Sequence, residues 1–145
     1  MIRAATLALA ALAPVHAAAL SLDFPAISST LAEVSTAKDS YFVPTGPYSE
    51  GRIAGITAEG AVLQQSWKVG SGSLTTLQIL APLRDQLRNA GFETLYECES
   101  RGCGGFDFRY QIELLPEPDM HVNLGDYRYL AARRQNEDEP DYAVL

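Results

Sequence analysis

An apolar run, Ala4–Ala13, opens the chain behind a single positive charge at Arg3, and charge returns only at Asp23. Beyond it the apolar positions fall into shorter patterns. Between Leu20 and Val43 they are mixed with Ser and Thr, and Phe24, Ile27, Leu31 and Val34 are spaced as one stripe of a short helix. Pro44-Thr45-Gly46-Pro47 reads as a turn cluster, and Ser49-Glu50-Gly51 keeps the chain in a loop. Ala61–Val69 is rich in strand formers, and Leu74–Ile79 resumes that character after Gly70-Ser71-Gly72-Ser73. Two such runs around a Gly/Ser turn predict a hairpin. A helix is expected next. Leu80, Leu83, Leu87 and Ala90 share one face while Arg84, Asp85 and Arg88 face out, with Pro82 in its first turn and Gly91 as its C-terminal cap.

Phe92–Cys98 reads as a strand, and Gly102–Gly105 as a turn. Phe106, Phe108 and Tyr110 then alternate with Asp107, Arg109 and Gln111, and a period of two places the three rings on one face of a strand. Pro116-Glu117-Pro118 breaks it. After Gly125-Asp126, Tyr127, Tyr129 and Ala131 alternate with Arg128, Leu130 and Ala132 in another predicted strand. Arg133–Pro140 is a charged turn, and Asp141–Leu145 begins one more strand, which predicts a short final strand or a chain that continues. There is no internal repeat and no heptad pattern.

Ala4–Ala13 is too short to span a bilayer. With Arg3 before it and small residues after it, at Val15-His16-Ala17 or Ala17-Ala18-Ala19, it has the three parts of a cleaved secretory signal, assigned to residues 1–19. No cysteine follows the run, which excludes a lipid-anchored lipoprotein. Residues 20–145 suffice for one domain, expected to be a single α+β periplasmic unit. Loss of Arg3 leaves 10 basic residues against 18 acidic ones, so the basic footprint that nucleic acid requires is missing. Anionic membrane surfaces are disfavoured on the same ground.

In an oxidising compartment the only two cysteines, Cys98 and Cys103, read first as a disulfide. Closing so short a loop destabilises the unfolded chain by roughly 2 kcal/mol. A zinc site would need two more ligands, and once His16 leaves with the signal only His121 remains besides acids. A redox dithiol would favour Cys-x-x-Cys in a positive setting, whereas Cys98 is flanked by Glu97 and Glu99. The bridge is therefore read as structural, with no metal and no cofactor expected. The fold class expected is α+β: a largely antiparallel sheet with a hairpin, one main amphipathic helix and a short disulfide loop.

No Gly-x-Ser-x-Gly elbow or phosphate-cradling glycine loop occurs. His121 is the one candidate base, with Asp119 or Asp126 as its imagined partner, and a histidine beside a turn is more often structural. Asp107 and Glu113 fall on the polar side of the aromatic strand, where Arg109 and Asp107 more simply make an ion pair. The three rings could stack sugars, although a core face is their commoner meaning. No catalytic residue is assigned and no enzyme is expected. Phe106, Phe108, Tyr110 and His121 are kept as ligand-binding candidates.

Three stretches carry a resemblance: Leu74–Leu83 (LTTLQILAPL), then Ala90-Gly91-Phe92-Glu93, then Glu97-Cys98 to Cys103-Gly104-Gly105-Phe106-Asp107-Phe108-Arg109. Together they are similar to the amino-terminal domain of outer membrane protein A (OmpA) family proteins of alphaproteobacteria. The likeness continues through Leu115–Leu130, a turn like Pro44–Pro47 recurs there, and the whole spans roughly residues 38–134. The chain also resembles, more distantly, a proteobacterial family of unknown function with a helix ending Ala-Gly-Phe before a Glu-Cys strand. In OmpA-family proteins a carboxyl-terminal domain binds peptidoglycan through an Asp/Arg pair that holds diaminopimelate. This sequence stops before any such domain, so neither that activity nor its residues carry over, and truncation at Leu145 is expected.

The resemblance implies a non-catalytic envelope domain at the periplasm or the periplasmic face of the outer membrane, supporting or tethering there. The partners it implies are envelope proteins, or peptidoglycan through the missing domain. The alternative is a small periplasmic glycan-binding or cell-wall hydrolytic domain using the Phe106/Phe108/Tyr110 face or His121.

Overall fold

Two successive residues in the left-handed region, Glu50 (φ 52°) and Gly51 (φ 82°), turn the chain back between its two longest strands. A two-residue turn with positive φ at both positions matches the twist of paired strands, and glycine takes the second position without strain. The computed structural model describes residues 20–70 and 72–145; the expected signal, 1–19, and Ser71 of the expected Gly70–Ser73 turn lie outside the described residues.

The hairpin consists of β1 (Ser28–Ser49) and β2 (Arg52–Val69), antiparallel to each other in a two-stranded sheet. This corrects three expectations. Leu31 and Val34 belong to a strand and not to a short helix, because Ser28-Ser29-Thr30 and Val34-Ser35-Thr36 favour pleated backbone once a partner strand lies alongside. Pro44 and Pro47 do not end the strand; they sit at an irregularity between Pro44 and Tyr48, where the ladder lapses and a proline costs little. The hairpin turns at Glu50-Gly51, and Val62–Val69 pairs backward with Ser28–Thr36 and not forward with Leu74–Ile79.

Leu74–Ile79 instead leads into α1 (Thr76–Asn89). The Gln78 amide donates to Thr75 Oγ1 at 3.2 Å, and the Thr75 amide donates to Gln78 Oε1 at 2.9 Å. This reciprocal cap satisfies two amides that a helix start otherwise orphans. Pro82 consequently lies inside the helix and not in its first turn. Leu80, Leu83 and Leu87 are buried, and Gly91 at φ 86° follows the helix end. Arg84, expected outside, is half-buried, with Nη1 at 2.6 Å and 2.9 Å from the two carboxylate oxygens of Glu97.

The chain continues through β3 (Glu93–Glu99), α2 (Ser100–Cys103), α3 (Gly105–Gln111), β4 (Arg128–Arg134) and β5 (Asp141–Val144). The strands form an antiparallel sheet in the order β3-β4-β5. The architecture is thus α+β, with antiparallel sheets, a hairpin and a disulfide. Central β4 is buried on both faces. Leu130 and Ala132 join Leu80, Leu87 and Phe92 beneath α1. Tyr129 and Ala131, on the opposite face, join Val43 of the hairpin, Cys103, Phe108 and Tyr127. The second sheet is therefore a middle layer, with α1 on one side and the hairpin and the α2–α3 corner on the other. Leu20 and Leu22 pack at the α1 side, where the Gln86 side-chain amide bonds the backbone of Asp23 in both directions at 2.7 Å.

Candidate functional site

The cysteine segment builds a corner between β3 and α3. Cys98 lies in β3 opposite Tyr129 of β4, Cys103 ends α2, and the two form a disulfide with their Cα atoms 5.2 Å apart. Cys103 is fully buried. Gly104, in the left-handed region at φ 113°, then bends the chain from α2 into α3. Tyr127 locks the corner from below: its single hydroxyl proton is shared between the carbonyls of Gly105 at 2.8 Å and Ser100 at 3.2 Å. Burial raises the Tyr127 hydroxyl above its ordinary pKa, Tyr96 and Glu99 add to that, and Arg109 opposes it. The hydroxyl thus stays a donor.

The aromatic run does not form a strand. It is α3, and the three rings do not share a face. Two positions apart on a helix is about 200°, so Phe108 points away from its neighbours. Phe108 is fully buried, 5.1 Å edge-on from Tyr129 and 6.5 Å from the nearly parallel ring of Tyr127. Phe106 and Tyr110, four apart, lie on one exposed face with ring centroids 4.3 Å apart, 58% and 62% exposed. The Arg109 guanidinium stands 5.4 Å from the Tyr110 ring centre. A three-ring platform is therefore replaced by one core ring and one exposed pair edged by a cation.

His121 Nδ1 is 2.8 Å from Glu117 Oε1, so its carboxylate partner is neither Asp119 nor Asp126. Both side chains are largely exposed, at 77% and 69%. Glu113 does not join Asp107 in a carboxylate pair. Its Oε1 accepts from Gln64 Nε2 at 3.0 Å, and its carbonyl accepts from the Tyr41 hydroxyl at 2.8 Å, both on the hairpin. Among the described residues Arg109 and Asp107 form no ion pair, and no group of three or more His, Cys, Asp or Glu could hold a metal. No helix among them is long and apolar enough to cross a membrane.

Among the described residues two of the cavities are shallow, and neither of these is lined by a residue singled out as a ligand-binding candidate. One, of about 190 Å³, lies between Val34, Thr36, Asp39, Ser40, Val62, Gln64 and Glu113. The other, of about 300 Å³, lies between Thr57–Glu59 and the segment carrying Glu139, Pro140 and Tyr142. Both sit at or below the lower end of ligand-pocket volumes, about 300–1,000 Å³. Periodicity alone does not reveal the hairpin walls of either cavity, since it does not identify β1 and β2 as partners. The one available signal is Glu50-Gly51 between two runs rich in Thr, Val, Ile and Tyr.

No protein-family model matches the chain, and no curated protein is significantly similar to it.

Proposed function

We propose that this chain is exported and serves as a non-catalytic domain of the bacterial cell envelope, in the periplasm or at the periplasmic face of the outer membrane. It would support or tether a partner there, in the manner of the amino-terminal domain of OmpA-family proteins. The observation that carries this reading is the Cys98–Cys103 bridge, whose buried sulfur sits at the junction of β3, α2 and the core. A structural disulfide of this kind belongs to oxidising compartments. The signal-like residues 1–19 and the family resemblance support the same compartment. On this reading α1 is the domain's one main amphipathic helix, backing the sheet while the opposite layer is left for contact.

The test is fractionation of the expressed chain with peptide mass spectrometry under non-reducing conditions. The expected result is a periplasmic product lacking the signal, with Cys98 linked to Cys103. A cytoplasmic product with two free thiols defeats the proposal.

A second reading, envelope glycan binding, is favoured by the exposed Phe106/Tyr110 pair with Arg109 beside it. Rings of this kind offer apolar faces to sugars, and the guanidinium offers donors to their oxygens. Co-sedimentation with purified peptidoglycan sacculi decides it. The Phe106→Ala/Tyr110→Ala variant should lose the bound fraction, and equal binding by both proteins removes this reading.

A further inference from the structure

The β1–β2 sheet has no third strand among the described residues, and β2 packs on β1 and on little else. A two-stranded ribbon is marginal in water unless a layer or another strand covers it. The end of β1 nearest the turn has such cover, with Val43, Pro44 and Gly46 buried and Val43 in the core shared with the disulfide corner. The part built from Ser28–Thr36 and Ala61–Val69 is covered only locally, where Ser66 is buried and the Gln64 side chain donates to Glu113. Leu31, Val34 and Leu63 are about half exposed there (52%, 48% and 49%), and Trp67 is 37% exposed even with the Phe24 ring 4.9 Å away. By register Leu63 and Trp67 lie on one face of this end and Val34 on the other, so apolar groups are exposed on both sides of it.

The two edges of the ribbon differ. Every register irregularity places its extra residues on β1, and β1 also carries Lys38, Pro44 and Pro47. Bulges, lysine and proline are the devices that keep an edge from recruiting another strand. No irregularity adds a residue to β2, and β2 contains no proline. Its stretch Gly60–Trp67 (GAVLQQSW) carries no charge and lies between Glu59 and Lys68. The segment bearing Glu139, Pro140 and Tyr142 lines a cavity with Thr57–Glu59 of β2, and the uncharged stretch begins just beyond it at Gly60.

We infer that the Gly60–Trp67 edge of β2 pairs antiparallel with the same edge of a second copy of this chain. The ribbon then continues into a four-stranded sheet. Antiparallel self-pairing about Gln64 brings the Glu59 end of each copy to the Lys68 end of the other, so opposite charges flank the uncharged centre on both sides. Leu63 falls across from Gln65, Val62 across from Ser66 and Ala61 across from Trp67, and the two Leu63 side chains become diagonal neighbours on one face. The arrangement is two-fold and closed, so it stops at a dimer. Its occupant is fixed by chemistry: an extended, uncharged strand with an acid at one end and a base at the other, which this edge itself is.

Sedimentation velocity of the full chain over a range of concentrations tests this. The wild type should sediment as a monomer–dimer equilibrium. Leu63→Lys sets like charges diagonally across the two-fold and should raise the dissociation constant by about tenfold or more. Leu31→Lys, at an equally exposed position on the bulged strand, should leave it unchanged. Wild-type monomer at every concentration, open-ended oligomers, or equal weakening by both variants would overturn the inference. Should Leu63→Lys fail to fold, hydrogen exchange on the wild type decides instead. Slowing with concentration is expected among the Ala61–Trp67 amides and not among Ser29–Thr36, and its absence is fatal to the pairing.

Discussion

At Gly104 the backbone sits at φ 113°, and a Cβ added there would lie 2.6 Å from the Cβ of Tyr48 and 3.2 Å from its backbone. Two penalties therefore coincide: a conformation that side-chain-bearing residues avoid, and a clash with a strand that cannot swing aside. Gly104→Ala should cost about 2 kcal/mol or more in urea unfolding. Gly102, two residues earlier in α2, is the natural control, because nothing lies within 4 Å of its added Cβ and its φ is ordinary. Gly102→Ala should be neutral or stabilising by up to about 1 kcal/mol. Equal effects at the two glycines would mean that the α2–α3 corner does not press on β1. This contact is not legible in the sequence. The run Gly102-Cys103-Gly104-Gly105 marks only a turn, whereas the need for glycine at Gly104 comes from Tyr48, far away along the chain.

The elements divide by how local their determinants are. The residues of β3, β4 and β5 are legible because short strand-forming runs bounded by turns coincide with the antiparallel ladder they enter, although β4, buried on both faces, does not alternate in burial. The start of α1 is legible in principle, as Thr75-x-x-Gln78 is a capping box, but Thr75, Thr76 and Ile79 also suit a strand and mask it. Thr75→Ala should therefore lower stability by about 1 kcal/mol, read by thermal or urea unfolding, with Thr75→Ser retaining most of it. An unchanged midpoint in Thr75→Ala would show that packing of Leu80, Leu83 and Leu87 alone sets the helix start. The residues of α3 read as a strand because aromatic residues at i, i+2 and i+4 fit both periods: a strand puts all three on one face, and a helix shares out two and one. The structure takes the two-and-one split, with Phe108 in the core beside β4 and Phe106 and Tyr110 exposed. The hairpin escapes the sequence pattern for a different reason. Ala61–Val69 is legible as a strand, but its partner β1 is Ser/Thr-rich and interrupted by Pro44 and Pro47, so the pairing between them is not legible until both are laid side by side.

Over the whole molecule, the hairpin is held to the rest by tyrosine hydroxyls as well as by the shared core. Tyr129, buried in β4, donates to the Pro44 carbonyl at 3.0 Å, and Tyr41 of β1 donates to the Glu113 carbonyl at 2.8 Å. Burial pushes Tyr41 up to about 12, with the Glu113 carboxylate adding to it. Burial raises Tyr129 further, and the neighbouring Tyr41 and Tyr96 contribute. Both pKa values lie above the ordinary tyrosine value of about 10. A group raised on folding stabilises fully below its unfolded pKa and progressively less as pH climbs toward its folded one. Stability should hold steady up to about pH 10 and decline above it, as the unfolded chain ionises tyrosines that the folded one keeps neutral. Urea unfolding across that range, followed alongside tyrosinate absorbance, measures it. The Tyr41→Phe/Tyr129→Phe variant should start less stable, having lost two donors to carbonyls at the hairpin interface, and should then lose less with rising pH. A wild type whose stability does not change between about pH 9 and about pH 11, one unit either side of the ordinary tyrosine pKa, would mean that the hairpin does not depend on these two hydroxyls.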